Sequence, residues 1–110
     1  MRIDFDALET VVTPHFRGGE KEVATQSYAD GDNKIMRGSL IPGASIGLHT
    51  HDTSSEVIYV LSGTGKVLCD GVYEPVSAGT CHYCPKGHSH SLINDGGADL
   101  VYFAVVPEHG

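Results

Sequence analysis

The chain has 110 residues, 40% hydrophobic and 19% charged, the composition of one globular domain; a second core or extensive disorder is excluded. Fourteen acids against seven Lys and Arg give a net charge of −7, with no basic patch, so nucleic acid and anionic membranes are disfavoured as partners. Residues 1–20 read as an N-terminal arm, in which residues 5–12 form either one short helix or an edge strand. Beyond them the chain reads as short strands punctuated by turns: 22–29, 34–41, 44–50, 57–61, 66–69, 72–76, 80–84, 88–93 and 100–106. Asp70-Gly71 between two of these runs is a strong hairpin signal. Many short strands with Gly turns predict an all-β sandwich or barrel.

Two strands are apolar on both faces: Val57-Ile58-Tyr59-Val60-Leu61 and the run from Leu100 to Val106. A strand with one wet face alternates apolar and polar residues. The outer face is therefore expected to be covered, by another strand layer or by a second subunit in a homodimer. The first ten residues carry acids where a signal peptide needs a basic flank and an apolar core. The three cysteines, Cys69, Cys81 and Cys84, are an odd number without framework spacing. Together these predict a reduced, cytoplasmic protein. Cys81 and Cys84 are three apart, which on a strand means opposite faces, so they read as small apolar residues rather than a redox pair.

Seven histidines equal the Lys and Arg count, and four fall in two clusters. His49 and His51 lie two apart on a predicted strand and so share a face, where both imidazoles can reach one metal ion. Four turn residues later, Glu56 opens the next strand. A carboxylate among Val57, Ile58 and Val60 is costly to bury unless paired or metal-bound. His88 and His90 repeat the spacing after Pro85-Lys86-Gly87, and a neighbouring strand can deliver a third imidazole from this segment.

The first segment reads Gly43-x5-His49-x-His51-x4-Glu56-x6-Gly63, and the second Gly79-x5-Pro85-x-Gly87-x2-His90-x3-Asn94. Together they resemble the two signature motifs of the cupin superfamily, in its small single-domain bacterial form, with all ten fixed positions matched. The resemblance implies one cupin domain over residues 1–110, a double-stranded β-helix or jelly-roll barrel, usually dimeric. It also implies one divalent transition metal per chain, held by His49, His51, Glu56 and His90. Imidazole with carboxylate suits Mn, Fe, Co, Ni, Cu or Zn. Four protein ligands leave positions open for water or substrate, as a catalytic metal requires.

Three further residues are candidates. His88 shares a face with His90 by strand period and is a candidate proton carrier, as is Tyr59. Arg37 offers a planar fork of donors for a substrate carboxylate. The leading functional expectation is a metal-dependent isomerase, lyase or dioxygenase acting on a small polar molecule, such as a sugar derivative or organic acid. The alternative is a non-catalytic ligand-binding or sensing module with a bound metal. Motif and fold alone do not choose between them.

Overall fold

The computed structural model describes residues 1–110. It contains ten strands: β1 (Val11–Pro14), β2 (Glu22–Ala29), β3 (Asn33–Leu40), β4 (His49–Thr50), β5 (Glu56–Ser62), β6 (Thr64–Cys69), β7 (Val72–Ser77), β8 (Cys81–Cys84), β9 (Ser89–Ile93) and β10 (Leu100–Pro107). They form a six-stranded sheet ordered β1-β2-β3-β10-β5-β8 and a four-stranded sheet ordered β4-β9-β6-β7, with every pairing antiparallel. The two layers enclose the core, as expected for a jelly-roll barrel. No helix is long and apolar enough to cross a membrane.

Strand parity builds the core. In β3 the even residues Met36, Leu40 and the glycine between them are buried. In β5 Ile58 and Val60 face in, and in β10 Leu100, Tyr102 and Ala104 do so. These residues join Val67, Val76 and Leu92 from the second sheet in one cluster of 13 buried side chains. The Asp70-Gly71 hairpin forms as its sequence predicts: both residues take positive φ, 48° and 82°, as a type I′ turn requires.

The segment 44–50 is not the strand its pattern predicts. Only His49–Thr50 pairs as β4, and Ser45 makes an isolated bridge to Ile93. Its backbone is shared between two neighbours: Ile46 N–H donates to the Leu92 carbonyl at 2.9 Å, whereas Ser45 N–H donates to the Glu20 carbonyl at 3.0 Å and Gly47 N–H to the Phe16 carbonyl at 3.0 Å, both in the N-terminal arm. The contact needs glycine on both sides. A Cβ on Gly47 would lie 1.9 Å from the Arg17 oxygen, and one on Gly19 would lie 2.0 Å from the Ser45 oxygen.

The arm itself contains a short 3-10 turn at Phe5–Ala7, then β1, then a second turn at Phe16–Gly18. Part of the doubly apolar outer face is covered by this arm. The Phe5 ring packs on Phe103 edge-to-face, with centroids 6.2 Å apart. Beyond the reach of the arm, Tyr59, Leu61 and Tyr83 stay 42%, 45% and 58% exposed on the same face.

Candidate metal centre and its cavity

Backbone bonds bring the two motifs together. His51 N–H donates to the His88 carbonyl at 3.0 Å, and Gly87 N–H donates to the His51 carbonyl at 2.6 Å. His49 stands opposite His90 in the β4–β9 pairing. Asn94, fully buried, ties the frame: its Nδ2 donates to the Leu40 carbonyl at 2.8 Å and the Ala98 carbonyl at 2.9 Å. Ser55 N–H reaches the Pro107 carbonyl at 3.2 Å, which fixes the turn that returns Glu56 to the barrel.

One ligand atom from each of His49, His51, Glu56 and His90 lies within 4.8 Å of the other three. The imidazole centroids form a nearly equilateral triangle of 5.0, 4.8 and 4.9 Å. Glu56 Oε1 is 3.2 Å from His51 Nε2 and 2.9 Å from His90 Nε2. Each ring is held from outside by its other nitrogen. His49 Nδ1 donates to the Gly47 carbonyl at 2.8 Å, His51 Nδ1 to Ser54 Oγ at 2.8 Å, and His90 Nδ1 to His82 Nε2 at 3.0 Å. With the protons on Nδ1, the Nε2 lone pairs converge on one point beside a carboxylate oxygen. That donor set suits a divalent transition ion, and the outer hydrogen bonds orient the three imidazoles and fix their tautomer.

The local electrostatics agree. Burial pushes the Glu56 carboxyl up; with the His51 and His90 rings donating to it from Nε2 it is brought down to about 2 and ionised, and a cation held at the same point would take over that stabilising role while the ring protons sit on Nδ1. Burial holds the His49 imidazole below its usual value, against the Gly47 hydrogen bond. A neutral ring is the form that binds metal.

A cavity of about 310 Å³ opens onto three of the four residues, His49, His51 and Glu56. Its walls are mixed. Phe16, Val23, Met36 and Ile46 are apolar, Thr13, Thr25 and Ser27 offer hydroxyls, and Arg17 and Lys34 are cationic. Glu56 is the only acid in the lining.

The other candidates lie elsewhere. Arg37 does not reach the cavity: it projects from the opposite face of β3, with Nη2 donating to Asp6 Oδ1 at 2.6 Å and Nε to Gln26 Oε1 at 3.1 Å. Its parity is opposite to that of Lys34 and Met36, which do line the cavity. Tyr59 sits on the exposed outer face of the six-stranded sheet, where it meets no cavity atom. His88 precedes β9 rather than sharing its inward face; it is exposed, and its Nδ1 donates to Asp70 Oδ2 at 2.5 Å. Cys81 is exposed and Cys84 buried, on opposite faces of β8. Burial, with Cys69 and Glu56 nearby, pushes the Cys84 thiol up to about 12, so it behaves as an inert apolar group.

Three residues matter that the motifs do not contain. Arg17 lies in an arm without periodicity, and nothing local marks it. Lys34 was readable from its parity with Met36. His82 is buried behind His90, and the alternation of β8 places it on the same face as Cys84 without saying which way that face points.

The Cupin domain family model matches residues 36–106. An oxalate-binding protein of Thermotoga maritima is 34% identical over 98 residues, 84% of this chain and 81% of the relative. The crystal structure of a predicted oxalate decarboxylase from Thermotoga maritima superposes with a TM-score of 0.92 at 30% identity, over 98% of this chain and 99% of that one. A cupin-superfamily sugar phosphate isomerase from Silicibacter pomeroyi shares the fold at a TM-score of 0.81 and 20% identity, over 98% of this chain and 76% of the other. The chain belongs to the cupin family, over a match that contains all four residues of the candidate metal centre.

Proposed function

We propose that the protein binds a small organic acid, with oxalate as the first candidate, at a divalent transition metal held one per chain by His49, His51, Glu56 and His90. One observation carries this reading: the cavity offers two cations, and its only carboxylate belongs to the metal set. Neither Arg17 nor Lys34 is in an ion pair, since those of Lys and Arg in this chain use Arg2, Arg37 and Lys66; the Arg17 guanidinium lies 5.5 Å over the Phe16 ring, itself part of the cavity wall. A bound metal supplies Lewis acidity and coordination positions for carboxylate oxygens. Around it, Arg17 gives an anion a planar fork of donors and Lys34 a point charge. Thr13, Thr25 and Ser27 fix its orientation by hydrogen bonds, and Phe16, Val23 and Ile46 exclude water. The net charge of −7 does not oppose this, because the field at the cavity is set by the ion and the two nearby cations. The similarity to an oxalate-binding protein supports the same ligand class.

A catalytic reading, as a lyase, isomerase or dioxygenase, draws on the opening of three metal-set residues toward the cavity. It has less support. Proton transfer needs a positioned acid or base, and the lining provides no carboxyl or imidazole outside the metal set.

Calorimetric titration of oxalate into manganese-loaded and metal-free protein tests the proposal. Binding is expected only in the loaded protein. Arg17→Ala is expected to weaken it by roughly ten- to a hundredfold, the worth of a charged hydrogen bond of about 1.5–3 kcal/mol. Equal affinity without metal, or no loss in Arg17→Ala, would overturn the binding mode. Release of carbon dioxide during the titration would establish the lyase reading in its place.

We also propose a homodimer through the outer face of the six-stranded sheet, where Tyr59, Leu61 and Tyr83 are exposed beside half-buried Val57 and Val105. Light scattering at micromolar concentration is expected to give twice the chain mass, and Tyr83→Glu to halve it; a monomer before substitution refutes the dimer. A cytoplasmic location is proposed on the odd cysteine number alone.

A further inference from the structure

Behind the metal centre, on the side away from the cavity, three side chains stand in a line. Glu74 lies on β7, at the edge of the four-stranded sheet, and His82 on β8, at the edge of the six-stranded sheet. His90 lies on β9. The chain of contacts therefore crosses from one sheet to the other and back at the seam where the two edges meet. His82 Nδ1 is 2.5 Å from Glu74 Oε1, and His82 Nε2 is 3.0 Å from His90 Nδ1. The His82 side chain is 2% exposed, whereas that of Glu74 is 51% exposed. The His82 and His90 rings are tilted by only 30°, with centroids 5.2 Å apart.

The proton arrangement follows from what each group can do. An ionised carboxylate only accepts, so His82 must donate from Nδ1 to Glu74. A neutral imidazole then has a lone pair at Nε2, and this must accept from His90 Nδ1–H. His90 in turn has its lone pair at Nε2, the atom 2.9 Å from Glu56 Oε1. A carboxylate at the barrel surface thus dictates which nitrogen His90 turns toward the metal centre. His49 gets the same instruction from a backbone carbonyl, which no side-chain substitution removes; for His90 it comes through two replaceable side chains.

The geometry points to Glu74 and His82 as positioning residues of the metal centre: by orienting His90 and fixing its tautomer, they set the affinity and ligand field of the bound ion. The inference rests on the metal reading of the four-residue cluster. Neither residue touches the cavity, so neither is a catalytic residue. Hydrogen-bonded partners of metal-bound histidines are worth about ten- to a hundredfold in metal affinity.

Cobalt(II) is the probe, because its visible absorption reports the ligand field and its affinity is measurable by competition with a chromophoric chelator. Glu74→Leu removes the terminal acceptor at a half-exposed position, where the fold tolerates it. It is expected to weaken cobalt binding about tenfold or more and to shift the absorption bands. Glu74→Gln keeps an oxygen acceptor and is expected to recover most of the affinity. His82→Leu is expected to cost at least as much as Glu74→Leu, and His82→Gln, whose amide can accept and donate, to recover part of it. Asp95→Asn is the control: it removes one negative charge from a side chain 50% exposed that pairs with Lys66. It should leave both affinity and spectrum unchanged. Glu74→Leu with unaltered affinity and spectrum overturns the positioning role, as does an Asp95→Asn loss of the same size. Absence of cobalt binding by the unsubstituted protein would instead overturn the metal reading beneath it.

Discussion

Glu56→Ala combined with His90→Ala is expected to reduce the metal content of purified protein from about one ion per chain to background, while the chain stays folded. The double substitution removes the only negative ligand and the imidazole at the back of the site. It leaves His49 and His51, which share one short segment, without a partner on any other strand. Affinity of a four-ligand site for a divalent ion derives from the number and preorganisation of its donors, and two neutral donors hold such an ion only weakly. The fold should survive, because the cluster of 13 buried hydrophobic residues includes neither position. The destabilising cost comes from His82 Nε2, which loses its partner in a buried place; an unsatisfied polar group costs about 1–3 kcal/mol. Loss of the Glu56 charge from a buried site offsets part of that. Elemental analysis with a circular dichroism melt checks both halves. Full metal retention refutes the ligand assignment, and an unfolded double variant shows that the ligand cluster is structural.

Gly38→Ala is expected to overpack the barrel core and lower the melting temperature by several degrees. Gly38 sits in β3 directly opposite Tyr102 in β10. The Tyr102 ring lies across the glycine, so that an added Cβ would be 2.3 Å from Cζ and 2.4 Å from the hydroxyl oxygen. A surface tyrosine would swing away. Tyr102 is 1% exposed and packed in the core, so the ring or the strand has to move. Overpacking of this kind costs about 1–3 kcal/mol. In a domain of this size each kcal/mol lowers Tm by about 4–8 °C. Tyr102 also lines the cavity, so the variant should bind oxalate less well even when folded at low temperature. A melting temperature within 2 °C or so of the parent would mean the core yields at this point more readily than close-packed interiors do.

Local chemistry made much of this legible. Asp70-Gly71 specified its own hairpin, because two positive φ values in succession leave few other residue choices. The two His-rich segments converge because strand alternation and a four-residue turn leave little freedom in where the side chains go. What failed did so where the deciding partner is remote in sequence. Residues 44–50 have the composition of a strand, yet the N–H groups of Ser45 and Gly47 are drawn off to Glu20 and Phe16, about 25 to 31 residues away, and only His49–Thr50 remains as β4. Arg37 offers a fork of donors, but the alternation of β3 turns that fork outward to Asp6 and Gln26. The spacing of His88 and His90 fits one strand face, but β9 begins at Ser89, one residue too late for the period to apply. Arg17 could not be found at all, since it owes its position to glycines packed against a distant turn.

That glycine contact has a further consequence. Of the 16 residues around the cavity, the eight from Val11 to Lys34 precede the matched cupin segment, which begins at residue 36; the other eight, with His49, His51 and Glu56 among them, lie within it, as does His90 outside the lining. On the proposed function, the segment before residue 36 lines the ligand side of the cavity and the rest of the barrel holds the metal set, and the two are joined where Gly19 and Gly47 let their backbones touch. An arm from a relative, grafted with both glycines kept, should exchange the ligand and leave the ion in place.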